Sequence, residues 1–313
     1  MQPRKILSYC LLIPVLLPTS LFSQSNPHGP KMAAAEAGMS FERHSNPHGP
    51  KLALSQVERR RPLEAAGQFR LRFDTHEPQG LVKHGSRYYL SAAEHSELDS
   101  VESKLFPKGS KRRSKARGRG HLFVFDHRGI LLEQLQLAMG TLYHPGGMSS
   151  DGRDLWIPVS EYWPYGHSMV LRVSLKTLEI RRAFSFDDHL AGIVADASAR
   201  RLYSWNWSSN TWYVFDYDGR LLHREADPIR LIDVEDAKLL PSGEILASGA
   251  RHNLGALAVL TEDFDLRHLL FLQERTPEGR AISSNAMDYE YRNGRLYLLF
   301  AADKNRSHLA RFH

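Results

Sequence analysis

The fold of this chain is decided by stretches such as DHLAGIVADASARRLYSWNWSSNTWYVFD, residues 188–216. Three short runs rich in β-branched and aromatic residues lie within it, at 188–194, 201–205 and 212–216, with turn-forming residues between them. Short apolar runs bounded by such residues are typical of β-strands rather than helices. The stretch therefore predicts consecutive antiparallel strands that begin at a polar residue.

The same pattern recurs from residue 66 onward. Each copy opens with a polar residue and small residues, followed by an apolar strand, a turn such as Asn-Gly-Arg, and further strands; the copies begin at residues 76, 143, 188, 234 and 284. A repeat of about 45 residues is typical of a four-stranded propeller blade. The sequence predicts an all-β fold, a β-propeller of five four-stranded blades. The alternative is a sixth, degenerate blade in 160–185 or 220–234.

The last copy ends one strand early. It stops after its third strand, 308–312 (HLARF), whereas 69–73 (FRLRF) precedes the first copy and has no partner there. Closing a ring with an N-terminal strand removes the exposed sheet edge at the seam. We therefore expect this strand to complete the fifth blade.

The N-terminal residues have the pattern of a secretory signal peptide. Arg4 and Lys5 precede an apolar run at 11–17, which is shorter than the roughly 20 residues that span a bilayer. An N-terminal membrane anchor is the alternative. Cys10 is the only cysteine, so a processed chain has no disulfides, and we expect an exported protein of a bacterial periplasm or exterior. The predicted regions are a signal peptide at 1–23, a flexible linker at 24–63 that contains SNPHGPK twice, and a propeller at 64–313.

The net charge of +6 comes from one segment. Eight of the cations lie between residues 104 and 119, and without them the net charge is −2. The segment is rich in Gly and Ser and predicts a basic loop inserted at 104–120. Such a loop suits an anionic surface or polymer, or it is a solvated loop with no dedicated partner. It has no interleaved aromatic residues for base stacking, so we expect no specific nucleic acid partner.

When the five copies are aligned, one position is a polar residue in every copy, and it lies three residues before a second equivalent position. The recurring residues are Glu77, His144, His189, Glu235 and Asn285, and the second position is Gly80, Gly147, Gly192, Lys238 and Asp288. Because the first strand of each blade lines the channel, these side chains are predicted to meet at its mouth.

The predicted ring suits a small polar ligand or a divalent metal. His76 and Asp236 are alternatives at their positions, and Asp288 is included among the ligand-binding residues. Glu77, His144, His189 and Glu235 are the predicted metal ligands, a set that favours Zn, Mn or Fe over Ca. The other interpretation is that these residues are polar only because the channel is wet.

Aromatic residues at strand ends surround the same face. Trp205 and Trp207 are candidates for a wall against a sugar ring or another flat ligand. Packing between blades is the alternative. We expect a monomer with a small-molecule ligand.

The catalytic evidence in the sequence is indirect, and whether the protein is an enzyme stays open. No G-x-S-x-G motif is present for a serine hydrolase. Glu77 and Glu235 form a possible carboxylate pair, but their separation is not fixed by the sequence. A metal-activated water fits the predicted ring best.

The repeats with a polar ring resemble exported propellers of the gluconolactonase-like and strictosidine-synthase-like group. That resemblance implies an axial divalent cation held by Glu, Asn and Asp, for which Glu77, Glu235 and Asn285 stand at suitable places, whereas His144 and His189 depart from an oxygen-only shell. Residues 144–147 (HPGG) and 188–192 (DHLAG) are more similar to an uncharacterised family of secreted bacterial proteins, over about 66–313. The expected function is binding of a small polar or metal-coordinated ligand. The alternatives are a metal-dependent hydrolase of lactonase type and a protein-interaction platform.

Overall fold

The computed structural model describes residues 62–96, 117–229, 231–305 and 307–313, all within one compact unit. The predicted signal peptide, almost all of the predicted linker and most of the basic segment lie outside these residues. The described end of that segment belongs to the sheet, because a strand starts at Gly118. No described helix has the length and apolar character needed to cross a membrane.

The described residues form five antiparallel sheets, one for each predicted blade, so the chain is an all-β five-bladed propeller. The closing strand is β1 (Ala65–Arg70). Blade one consists of β2 (Glu77–His84), β3 (Arg87–His95), β4 (Gly118–Phe125) and β5 (Leu131–Gly140). Blade two consists of β6 (Leu142–Pro145), β7 (Ser149–Ser150), β8 (Asp154–Glu161), β9 (Ser168–Ser174) and β10 (Ile180–Phe186). Blade three consists of β11 (Leu190–Asp196), β12 (Arg201–Asn206), β13 (Thr211–Asp216) and β14 (Leu221–Ala226). Blade four consists of β15 (Asp233–Leu239), β16 (Ile245–Arg251), β17 (Leu254–Leu260) and β18 (Leu266–Leu272). Blade five consists of β19 (Ala286–Arg292), β20 (Arg295–Ala302) and β21 (His308–Phe312), with β1 as its outermost strand.

The prediction of closure by an N-terminal strand is confirmed, with a shift in its boundaries. Strand β1 pairs antiparallel with β21, from Ala65 opposite Phe312 to Arg70 opposite His308. It therefore starts four residues before the predicted 69–73. The alternative of a sixth blade is wrong, because 160–185 supplies strands to blade two and 221–226 is the outer strand of blade three.

The hydrophobic core is divided among the contacts between blades. Five large clusters of buried side chains are each shared by two neighbouring blades. One of them joins blade five to blade one, through residues such as Leu299 and Leu90. Burial of this apolar surface on both sides of every blade stabilises the ring without disulfides.

The innermost strands converge so closely that small residues are needed between them. Gly147 and Gly192 form a bridge between blades two and three. A Cβ atom on Gly80 would lie 2.5 Å from the backbone nitrogen of Met148. The aligned glycines thus mark where the blades approach the axis.

Below the mouth, the axis is filled by a buried polar network. Asp236 is completely buried, and its carboxylate accepts hydrogen bonds from the backbone amides of Leu81 and Met287 at 3.1 and 3.0 Å. The Lys238 ammonium donates to Asp236 Oδ1 at 2.6 Å and to the Met148 carbonyl at 2.7 Å. These bonds connect blades one, two, four and five at the centre.

Two predicted ligand residues belong to this network rather than to the mouth. Asp236 has its oxygens occupied by backbone amides and by Lys238. Asp288 is 7% exposed and accepts from the amides of Lys83 and Tyr289. Their placement corrects the sequence prediction, because both carboxylates are buried below the mouth and each of their oxygens accepts a hydrogen bond from a backbone amide.

Candidate functional site at the channel mouth

Four of the five recurring polar residues face one another at the mouth, and the fifth lines its wall. The rings of His144 and His189 are 5.8 Å apart between centroids. Glu77 is close enough to influence the ionisation of both His144 and Glu235. A cavity of about 140 Å³ lies beside them, lined by Glu77, Pro78, Gln79, Glu235, Arg280, Ser284, Asn285 and Lys304. The first residues of the innermost strands therefore do converge at one place.

Local irregularities of the innermost strands direct these side chains. In blades one to four, the register of the innermost strand shifts near the mouth, for example between Pro78 and Gly80 and between Val234 and Asp236. A bulge adds one residue to a strand and re-aims its side chains. Glu235 is the extra residue in blade four, and its side chain is exposed in the mouth.

Glu77 is held by two partners on opposite oxygens. Its Oε2 lies 2.6 Å from His95 Nε2, and its Oε1 lies 2.5 Å from Lys304 Nζ. Burial by itself would raise the pKa of Glu77, but the His95 hydrogen bond and the Lys304 charge outweigh it and lower the pKa to about 2. Glu77 is therefore an ionised, fixed carboxylate at neutral pH.

The two histidines of the mouth are neutral at physiological pH. Burial, followed by the proximity of His189, lowers the pKa of His144 to about 3. Burial also lowers the pKa of His189 to about 4, although its hydrogen bond to the Glu161 backbone opposes the shift. Both imidazoles thus keep a lone pair for a ligand or a proton.

The hydrogen bonding of the two rings leaves nitrogen atoms free. His189 Nδ1 lies 2.7 Å from the Glu161 carbonyl oxygen, which can only accept, so the proton is on Nδ1 and Nε2 carries the lone pair. His144 is 8% exposed, and its buried Nδ1 has no hydrogen-bond partner among the described residues. A buried polar atom of this kind normally has a partner.

Glu235 differs from Glu77 in charge environment. Desolvation inside the mouth, followed by the negative charges of Glu77 and Asp233, raises the pKa of Glu235 above its usual value. The side chain is nevertheless open to water in the mouth, and this hydration limits the shift. Glu235 is thus the carboxyl group of the mouth most readily protonated.

Asn285 has a structural task at the wall of the cavity. Its amide nitrogen donates to the carbonyls of Ala281 and Ile282, at 3.2 and 2.9 Å, and its oxygen accepts from the Asp303 amide at 3.1 Å. Both ends of the amide are occupied, so Asn285 shapes the loop before β19 rather than offering a free ligand atom.

An aromatic side adjoins the histidines. Tyr162 lies 4.7 Å from the His144 ring and 5.0 Å from Trp207, and Trp207 lies 4.7 Å from His189. Tyr162 and Trp207 are partly exposed, as expected for a wall that meets a ligand. The position of Trp205 corrects the sequence prediction, because its ring is completely buried in the core, next to Trp212 at 5.2 Å.

His76 lies on the other face of blade one and does not replace Glu77. Its ring stacks on His121 at 5.0 Å, and together with Glu94 these residues bring their ligand atoms within 4.8 Å of one another. Among the described residues this is the single group of three such side chains at metal-binding separation. The predicted set of Glu77, His144, His189 and Glu235 does not reach that separation.

Three polar residues of the mouth were not among the predicted site residues: His95, Arg280 and Lys304. His95 reaches Glu77 because the bulge at Gln79 pairs Glu77 with Ala93 instead of Glu94. A bulge of this kind cannot be counted from the sequence. Arg280 and Lys304 lie on loops of blade five, outside the repeated strands.

A second, larger cavity of about 540 Å³ lies at the opposite end of the strands, beside the turns of blade two. Its charged groups largely neutralise one another, since Arg172 pairs with Asp154 and Arg181 pairs with Glu179 at 2.7 Å. The mouth, by contrast, has buried polar atoms that lack partners within the described part of the chain.

Comparison with known proteins identifies a family but no activity. Residues 61–240 match the family of unknown function DUF6454, and because this is more than half of the chain, the protein belongs to that family. No match was found among curated proteins.

Three solved structures share a distant likeness. A chain of a nidogen/laminin complex is 15% identical, with 59% of this chain and 68% of that chain covered and a TM-score of 0.43. A luciferin-regenerating enzyme is 8% identical, with 79% and 94% covered and a TM-score of 0.46. The Malassezia sympodialis allergen Mala s 1 is 10% identical, with 76% and 78% covered and a TM-score of 0.43.

Proposed function

For this member of the DUF6454 family, we propose that the channel mouth binds a small polyhydroxylated ligand that carries a carboxylate, such as a sugar acid. The mouth has two contrasting sides. Blades two and three contribute neutral imidazoles and aromatic rings, and the remaining blades contribute charged groups. A sugar acid has both an apolar ring face and an anionic group.

The observation that carries the proposal is the unpartnered Nδ1 of His144. Leaving a buried donor or acceptor without a partner costs about 1–3 kcal/mol. In the neighbouring His189, the proton is on Nδ1, which faces the Glu161 carbonyl, and Nε2 carries a lone pair. A rotation of the His144 ring uncovers Nδ1, and a ligand hydroxyl can then donate to one imidazole and accept from the other, which recovers the cost.

The charged side supplies two cations, Arg280 and Lys304, at the edge of the cavity. Arg280 Nε is buried without a hydrogen-bond partner among the described residues, since Glu278 Oε2 lies 3.8 Å away, beyond hydrogen-bond distance. Lys304 borders the same cavity while it pairs with Glu77. A ligand carboxylate would form charge-assisted hydrogen bonds with these cations.

The cavity and the aromatic wall limit the ligand to a small ring. A volume of about 140 Å³ is below the 300–1,000 Å³ of pockets for drug-sized molecules. Trp207 and Tyr162 offer flat faces on the histidine side of the mouth, which suit the C–H face of a sugar ring.

Isothermal titration calorimetry against sugars, aldonic acids and their lactones tests the proposal. We expect an aldonic acid to bind, and His189→Gln and Lys304→Met to weaken binding by about tenfold or more each, the free energy of one good hydrogen bond. His223→Gln on the exposed strand β14 and Lys176→Met on an exposed turn are matched controls that should bind like the wild type.

Two outcomes would overturn the proposal. One is the absence of binding by every member of the panel to a folded wild-type protein. The other is equal loss of affinity in the mouth variants and in their controls, which would place the ligand elsewhere.

Hydrolysis is the second candidate function, and the observation that favours it is the raised pKa of Glu235 in the same mouth as two neutral imidazoles, with Glu77 close to both Glu235 and His144. A protonated carboxyl and an unprotonated imidazole are the general acid and base that a hydrolase needs near neutral pH. A metal-dependent lactonase would additionally require Glu77, His144, His189 and Glu235 to move closer together, to metal-binding separation. Lactone turnover that disappears in Glu235→Gln while aldonic acid binding persists would establish the catalytic function.

The cellular assignments are also proposals. The pattern at residues 1–23 supports export to a bacterial periplasm or exterior, the eight cations at 104–119 support contact with an anionic surface, and the closed ring supports a monomer. A protein-interaction platform would use the basic segment, which lies largely outside the described residues. N-terminal sequencing of the protein recovered from a periplasmic fraction tests export.

A further inference from the structure

A second polar cluster occupies the opposite face of blade one. It consists of His76, just before β2, Glu94 near the end of β3, and His121 in β4. His121 Nε2 lies 2.8 Å from Glu94 Oε2, and the His76 ring stacks on the His121 ring with an angle of 22° between their planes. The cluster is separate from the mouth ligands of the proposed function.

This cluster and the mouth use neighbouring residues of the same strands, because consecutive side chains of a strand point to opposite faces of the sheet. Glu94 and His95 are consecutive in β3 and therefore point to opposite faces. His95 reaches Glu77, and Glu94 reaches His121, since Ala92 pairs with His121 on the same face. That face packs against blade five.

The three side chains have the chemistry of a transition-metal site. Two imidazoles and one carboxylate are a ligand set used for Zn²⁺ with a fourth position open. His121 Nε2 and Glu94 Oε2 already lie 2.8 Å apart, and the His76 ring stacks on the His121 ring at 5.0 Å. The three side chains are thus gathered around one point, with their ligand atoms within 4.8 Å of one another.

The surroundings orient the ligands as an outer shell does. The His76 amide donates to Asp74 Oδ1 at 2.9 Å, and the His76 carbonyl accepts from the Asn305 amide at 2.7 Å. The Gln134 amide nitrogen lies 3.3 Å from His121 Nδ1, on the side of the ring away from Glu94. A flip of this amide, which exchanges its nitrogen and oxygen, lets Gln134 accept from Nδ1–H when Nε2 binds a metal, and such an acceptor is the usual support for a metal-bound histidine.

We propose that His76, Glu94 and His121 bind one divalent transition metal ion of the zinc type on the face of blade one that packs against blade five. Ligands about 2.0–2.1 Å from a tetrahedral Zn²⁺ are about 3.3 Å apart. The His121–Glu94 contact therefore opens by about half an ångström, within the reach of a side-chain rotation. Arg119, 3.4 Å from Glu94 Oε1, stays on the other oxygen of the carboxylate.

The proposed ion also locks the seam of the ring. His76 lies in the connection from the closing strand β1 to the first strand of blade one. That connection is attached to blade five through Thr75 Oγ1 and Ser307 Oγ, 2.8 Å apart, and through the Leu71 amide, which donates to the Ser307 carbonyl. A metal that joins His76 to β3 and β4 restrains this connection from the blade-one side.

The test uses the full chain without a histidine tag, because a tag binds zinc by itself. Elemental analysis should find one zinc per chain after dialysis against zinc, and Zn²⁺ at a hundredfold excess over its dissociation constant should raise Tm by roughly 5–10 °C. Ca²⁺ should produce neither effect, because it prefers oxygen ligands. X-ray absorption at the zinc edge should show two imidazoles.

Variants distinguish this site from the other histidines of the chain. His76→Ala and Glu94→Gln should each weaken zinc binding by more than about 100-fold, since loss of an outer-shell partner alone costs about 10–100-fold. His127→Ala, exposed on the turn after β4 in the same blade, is the matched control and should bind normally. His121 is 5% exposed, so its variant carries a folding risk that the other two avoid.

Wild-type zinc affinity in both His76→Ala and Glu94→Gln would overturn the proposal, and so would the absence of zinc binding to the folded wild type. Aldonic acid binding, measured in the same variants, should be unchanged. Its loss would count against the proposed function of the mouth, whereas the zinc measurements by themselves decide whether the metal site exists.

Discussion

The axis of the propeller and its mouth both contain polar side chains from the innermost strands, yet the hydrogen bonds of these side chains are satisfied differently at the two places. At the axis, Asp236 accepts from three backbone amides and from Lys238. At the mouth, His144 has a buried nitrogen without a partner among the described residues. Polarity by itself therefore does not distinguish the structural network from the mouth, and hydrogen-bond satisfaction is the property in which Asp236 and His144 differ.

The strongest way to test the structural half of this comparison is Lys238→Met. The ammonium is the single cation that contacts Asp236 among the described residues, and Lys238 is 4% exposed. Its removal leaves a buried carboxylate uncompensated, which costs about 3–5 kcal/mol. We expect a fall of that size in the free energy of unfolding, measured by urea denaturation, with little change in ligand affinity per folded molecule.

The control for this variant is Lys176→Met, on an exposed turn, which should change stability by less than about 0.5 kcal/mol. A cost below about 1 kcal/mol for Lys238→Met would show that the axial carboxylates are satisfied without the lysine, and the contrast with the mouth would lose its basis.

The sequence could predict the five blades, the closure and the recurring mouth position, because each depends on the repeat. Aligned copies place Glu77, His144, His189 and Glu235 at one end of equivalent strands, and the fold brings them to one mouth. The repeat also contained the axial column of Lys238 and Asp288, but the prediction assigned Asp288 to the ligand. Burial depth along a strand depends on how closely the blades approach, and glycines such as Gly80 set that distance only in three dimensions.

The remaining errors have local physical causes. The bulge in β2 changes which residues of β3 lie opposite it, so the contact of Glu77 with His95 could not be predicted from the sequence. His76 leaves the mouth because its neighbour Glu77 points into it, and it has a positive φ of 50° that turns the chain there. Trp205 and Trp207 are two residues apart but lie in different settings, because β12 ends at Asn206 between them.

The pH dependence of stability sharpens the comparison, because a group at the mouth and a group at the axis change the free energy of unfolding with pH in opposite directions. At the mouth, the pKa of His189 is lowered from 6.5 to about 4, so the unfolded state takes up its proton first and stability is lost as pH falls from 6.5 towards 4. At the axis, burial raises the pKa of Asp288 from 3.8 to about 6, so stability is lost as pH rises through that interval. Comparison of the wild type with a variant of one of these residues isolates the contribution of that residue to the pH dependence.

We expect His189→Gln to reduce the loss of stability on acidification by about 1.4 kcal/mol per pH unit between pH 6.5 and 4, relative to the wild type. Gln has no proton to take up, and its amide can still donate to the Glu161 carbonyl. Urea denaturation at several pH values measures the difference, with His223→Gln as the control. Parallel stability curves for the wild type and His189→Gln would mean that His189 is not buried as a neutral imidazole.

The smallest expected effect concerns the cover that keeps His189 neutral. Trp207 packs against the His189 ring in a T-shaped arrangement at 4.7 Å while remaining partly exposed, so Trp207→Ala should cost little stability. Burial is the main cause of the lowered pKa of His189, and removal of the indole admits water to the imidazole. We therefore expect the His189 pKa to rise from about 4 towards 6.5, as measured by a histidine NMR titration. Tyr165→Ala, which removes a ring that is 82% exposed at the same end of blade two, should leave it unchanged. An unchanged His189 pKa in Trp207→Ala would show that the Glu161 backbone and the rest of the wall, and not Trp207, keep water away from the imidazole. The role of Trp207 would then be limited to contact with the ligand.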